Sequence, residues 1–74
     1  DLTRAFFHYN EALRLNPDHR AAREYLGEAY LQAGQPDKAR EQLEALERIC
    51  GRECEEYRDL AAAISGSAPS PKSW

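Results

Sequence analysis

Two cysteines four residues apart, Cys50 and Cys54, carry the most definite chemistry available in the chain. Their sulfurs flank the Gly51-Arg52-Glu53 turn and could bridge if that turn tightens. Closing so short a loop would stabilise the fold by about 2 kcal/mol on the chain-entropy account. Three readings stay open for the pair: a disulfide, which implies an oxidising compartment; two buried thiols; or part of a metal site. The metal reading has only two sulfur donors at an unfavourable spacing, with His8 and His19 far away in sequence, whereas zinc takes four ligands in recognised pairs. No metal and no cofactor is therefore expected. Nucleophilic catalysis would need a Ser, Cys or Thr beside a positioned base and an orienting acid. His8 lies beside aromatics in a helical segment, His19 sits in a first turn, and neither has a nucleophile in register. Glu55 and Glu56 are adjacent on a helix, point in different directions and suit the positive end of its dipole. There is no Gly-rich phosphate loop and no dinucleotide fingerprint, so the chain is not expected to be an enzyme.

The elements that hold these side chains follow from composition and punctuation. Among 74 residues there are 10 Lys+Arg and 13 Asp+Glu, a net charge of −3. Gripping a nucleic-acid duplex needs a surplus of cations on one face, so no nucleic-acid partner is expected. Apolar residues at 42% and charged residues at 31% suit a soluble globular chain. The longest apolar run, Leu60 to Ile64, is far too short to cross a bilayer, and no membrane insertion is expected. Because it starts at Asp1 and lacks Met, the chain is expected to be an excised piece, with room for an upstream leader. A single domain of this size buries only about 60% of its unfolded surface and is marginal without help.

Gly and Pro divide the chain into four helix-length segments. In the first, about 3 to 15, Ala5, Phe6, Tyr9, Ala12 and Leu13 recur at helical spacing, and Asn16-Pro17 stops it. Asp18 is expected to cap the second, about 19 to 33, whose stripe is Ala22, Leu26, Ala29, Tyr30 and Ala33. The third, about 36 to 50, opens on Pro36 and Asp37 and carries Ala39, Leu43, Leu46 and Cys50. The fourth, about 53 to 64, carries Cys54, Tyr57, Leu60, Ala61 and Ile64. No segment reads as a strand, and the short turns imply antiparallel neighbours, so the fold class is all-α helical hairpins.

Shifting the chain by 34 residues lays Ala5 on Ala39, Tyr9 on Leu43, Ala12 on Leu46, Leu26 on Leu60, Gly27 on Ala61 and Ala29 on Ala63. Size classes return, and polarity with them. On Leu26-Gly27, Tyr30, Gly34, Ala39, Leu43 and Leu46, with Ala5, Tyr9, Ala12 and Asn16-Pro17 before them, the chain resembles the tetratricopeptide repeat family. The resemblance implies a superhelix of antiparallel helix pairs: a half repeat over 1–18, a full repeat over 19–51 and a capping helix over 53–64. The stretch 65–74, with Pro69 and Pro71 and little apolar content, is expected to be a disordered tail. Gly27 and the alanines let helix axes approach closely, and Leu26, Tyr30, Leu43 and Leu46 are expected to fill the seam. Trp74 is either a loose end or an anchor in a neighbour's groove. The stretch from Leu46 to Ile64 also resembles the end of small bacterial members, some of them exported. A bridged Cys50–Cys54 would thus place the chain in the bacterial periplasm or envelope, and free thiols in the cytoplasm.

The resemblance further implies an interaction module, an adaptor or scaffold for a protein or peptide partner. The concave face would come from the second and fourth helices, with Glu24, Glu28, Leu31, Gln32 and Arg58 as its contacts. Glu24 and Glu28 are four apart on a helix and repel by a few tenths of a kcal/mol. They make either a solvated face relieved by Arg20 and Arg58, or an acidic groove for a basic or amphipathic peptide. The alternative is a self-assembly element: the first helix looks like the second member of a pair, so Phe6, Phe7 and Tyr9 are expected to be exposed unless covered, either by an upstream helix or by another copy in a homo-oligomer. Family members that bind chaperones hold a terminal carboxylate with cations at the positions matched here by Glu24 and Glu28, which would oppose that ligand. A peptide ending in Glu-Glu-Val-Asp should accordingly form no micromolar complex with this chain in calorimetric titration.

Overall fold

A computed structural model of the chain describes residues 1–66. It contains four helices, α1 (Leu2–Leu15), α2 (Arg20–Gln32), α3 (Pro36–Cys50) and α4 (Glu55–Ser65), and no strand among the described residues. The all-α expectation holds. Ser65 closes α4 and Gly66 caps it, so these two residues belong to the helix. The rest of the expected tail, 67–74 with Trp74, lies outside the described residues.

Each helix starts where a side chain or a proline relieves the free amides of the first turn. Asp1 caps α1 by accepting from the Thr3 amide at 3.0 Å. The α1–α2 turn corrects one sequence expectation. Asp18 does not cap α2; its amide donates to Asn16 Oδ1 at 3.1 Å, an Asx-type turn, and the chain enters the helix one residue later. His19 takes the capping position, its Nδ1 accepting from the Ala22 amide at 3.2 Å. Pro36 opens α3, where a missing N–H costs nothing, and Asp37 in that turn pairs with Arg40 at 2.9 Å. Helix α4 begins two residues later than its periodicity suggests, because Arg52 to Cys54 bend and Cys54 is the cap.

α2 is central: it packs against α1, α3 and α4, while α3 also packs against α4. Leu26, Leu46 and Leu60 are the largest fully buried side chains, set among Ala5, Ala22, Ala29, Ala39 and Ala45. Tyr30 and Leu43, expected in the seam, are only half-buried. Tyr30 instead stacks its ring 4.9 Å from that of Phe6 and lies 5.7 Å below the Lys38 ammonium. The tightest approach is between α2 and α4. A Cβ placed on Gly27 would sit 2.6 Å from Leu60 Cδ2 and 2.8 Å from Cδ1, inside van der Waals contact. Leu60 is wholly buried, so it has little room to yield.

Gly27→Val should therefore lower stability by about 1–3 kcal/mol in chemical denaturation, as overpacking does. In a Leu60→Ala background the same substitution should be nearly harmless. Equal losses in both backgrounds would show that the two residues are not coupled.

Candidate protein-binding surface

The exposed side of α4 forms a shallow hollow lined by Glu53, Glu55, Arg58, Asp59 and Ala62. Residues 55, 58, 59 and 62 follow helical spacing, so one face of α4 supplies most of it. Three carboxylates and one guanidinium line it, and the Ala62 methyl adds an apolar patch. Arg58, singled out from the sequence, is exposed here, as are its acidic neighbours Glu53, Glu55 and Asp59. Glu55 was read from the sequence as an acid at the start of this helix, whereas Glu53 and Asp59 were not singled out: in a sequence, a charge on a helix surface gives no sign of lining a hollow.

The other sequence-derived residues are placed differently. Glu24 and Glu28 are only 7% and 5% exposed, so neither a solvated acidic face nor one that projects into solvent describes them. The reason is the central position of α2, which meets three other helices and leaves little of its surface open. Leu31 is half-buried and Gln32 exposed near the end of α2. On α1, the expected row of exposed aromatics is reduced to one. Phe6 is covered by Tyr30, and Tyr9 packs 5.6 Å from Tyr25 between ring centroids. Phe7 remains 67% exposed, and Leu15 is 74% exposed.

The α3–α4 turn is held covalently. Cys50, the last residue of α3, and Cys54, the cap of α4, form a disulfide with their Cα atoms 5.9 Å apart. Gly51 between them has φ +80, a left-handed value that a side chain would resist. Cys54 Sγ lies 3.3 Å from the Gly51 carbonyl oxygen. A Glu56 carboxylate oxygen lies within 4.8 Å of both sulfurs, but bonded sulfurs are not the thiolates that bind metal. Arg52 adds an exposed strap to Glu47 at 2.9 Å, and that hydrogen bond raises its pKa further above the ordinary guanidinium value. On α1, the hydrogen bond from Arg14 similarly holds the Glu11 carboxyl below its usual range. Both pairs face solvent and add little to stability.

Arg23 is the brace that sequence reasoning missed. Its Nε donates to the Pro17 carbonyl at 3.1 Å and its NH1 to Gln42 Oε1 at 3.0 Å, tying the α1–α2 turn to α3. Its partner Gln42 is a buried amide nineteen positions along the chain, and no local pattern couples residues that far apart.

Antiparallel helices in this arrangement, with small residues at the crossings, define an α-hairpin repeat module. The family model for the tetratricopeptide repeat matches residues 1–64, and the chain belongs to that family. No curated protein and no solved structure matches the chain. Domains of this family are generally non-catalytic, bind protein partners and mediate protein–protein interactions. None of the described helices is long and apolar enough to cross a membrane.

Arg23→Met should destabilise the fold by about 1–3 kcal/mol, since the buried Gln42 amide oxygen loses its donor. Gln42→Leu added to that variant should recover much of the loss. If thermal denaturation shows no change for Arg23→Met, the brace is without weight.

Proposed function

We propose that this chain is a non-enzymatic adaptor whose concave side, built on α2 and α4, binds a basic or amphipathic segment of a protein partner. The single observation that carries the reading is the hollow on α4, lined by Glu53, Glu55 and Asp59 together with Arg58 and Ala62. Exposed carboxylates grouped around a shallow depression attract cations, and Ala62 there and Leu31 on the neighbouring helix supply apolar contact. Arg58 selects against an all-cationic ligand and favours one that also presents a carboxylate or carbonyl. Because Glu24 and Glu28 are buried, the contacts pass to Glu55, Asp59 and Arg58. Nucleic acid is an unsuitable ligand for such a surface, since phosphates would meet carboxylates.

A second reading is favoured by a different observation. Phe7 and Leu15 are the large apolar side chains that α1 leaves exposed, and their spacing of eight places them within about a quarter turn of one line along the helix. That strip would join copies of the chain, with Phe6 and Tyr9 acting from beneath it. The two surfaces lie on different helices and can be separated by mutation.

Titration with a helical peptide of Leu and Lys at amphipathic spacing tests the first reading. Glu55→Lys with Asp59→Lys should weaken binding at least about tenfold, as should raising the salt concentration, while Phe7→Ser leaves it unchanged. Equal affinity for the charge-reversed variant would refute the acidic surface. Sedimentation that shows concentration-dependent association, lost in Phe7→Ser, would favour the second.

A further inference from the structure

We infer that the Cys50–Cys54 bridge is a thiol-exchange site whose redox state controls how firmly α4 is docked, and through α4 the binding surface it carries; the last clause rests on the function proposed above. The bridge joins the last residue of α3 to the cap of α4. It is thus the covalent restraint on a short helix of 11 residues. Among the described elements α4 touches only α2 and α3, whereas α2 touches all three others. The exposed Arg52–Glu47 pair is too weak to replace the bridge. What remains to hold α4 is chiefly Leu60 in the space opened by Gly27.

Position also sets the direction of exchange. Both sulfur-bearing residues are half-buried, neither sealed in the core nor fully solvated. Cys54 stands at the N-terminal end of α4, where the free amides favour negative charge. It is therefore the better leaving thiolate, and attack falls on Cys50 Sγ. The co-reactant is a dithiol, small or carried on a thiol–disulfide oxidoreductase. Its thiolate forms a bond to Cys50 Sγ as the Cys50–Cys54 bond breaks. Its second thiolate then displaces Cys50, leaving the reductant as a disulfide; two electrons pass to this chain, and Cys50 and Cys54 each gain a proton. Closing a loop this small restrains α4 by a factor on the order of 20, so reduction should raise its undocked population by that factor. The hollow of Glu53, Glu55, Arg58, Asp59 and Ala62 moves with it.

Native-state amide exchange of the whole chain is the test, comparing oxidised protein, protein reduced with excess dithiothreitol, and Cys50→Ser/Cys54→Ser. Amides from Arg58 to Ser65 should exchange roughly 20-fold faster on reduction and recover on reoxidation, with α1 and α2 unchanged. The double variant should match the reduced protein and ignore the reductant. Unchanged α4 rates overturn the inference, and so does equal acceleration in all four helices, which would make the bridge a global stabiliser. The Leu/Lys peptide should bind more weakly to the reduced form. Selective α4 exchange with no peptide binding in either state would uphold the gate and refute the binding surface instead.

Discussion

The fold depends on one contact without side-chain volume on one side of it. Gly27 leaves a gap on α2 into which Leu60 of α4 fits so closely that a single methyl would overlap it. Close approach there brings the two helices together. Leu26 and Leu46 then complete a small core whose other members are alanines. With so little apolar volume available, stability comes from packing density, and loss of fit at the α2–α4 crossing weakens the docking of α4 first.

Around that core the polar groups do most of the fixing. Arg23 spans from the α1–α2 turn to Gln42 on α3, and the Cys50–Cys54 bridge spans from α3 to α4, so two of the three connections are held by a tie beyond helix packing. The consequence for function is a division of labour. α2 is enclosed and rigid, with even its carboxylates Glu24 and Glu28 buried, while α4 is peripheral and presents its charges to solvent. A surface that must recognise a partner sits on an element with two neighbours, against the three of α2. The same placement makes that element the one most sensitive to the state of its tether.

Much of this was legible from residue order, and the failures have a common cause. Helix limits were readable to within about two residues from Pro17, Pro36 and Asn16, because capping and proline effects act over one turn. The misplaced α2 cap shows the limit of that logic: Asp18 is a good cap by type, but the turn closed by Asn16 runs one residue further and leaves the cap to His19. Phe6 and Tyr9 looked exposed because their cover, Tyr30 and Tyr25, comes from a different helix. Glu24 and Glu28 looked solvated because charges usually are. In each case the deciding neighbour is distant in sequence.

The sequence alone determined the all-α class, the 34-residue recurrence and membership of the tetratricopeptide family, since periodicity and side-chain size are properties of the chain's order. Only the tertiary structure decided which charges are enclosed and which line a hollow, and that the two sulfurs are joined. Burial and bonding depend on what lies across the interface, and a helix carries on its own sequence no record of the partner that will cover it.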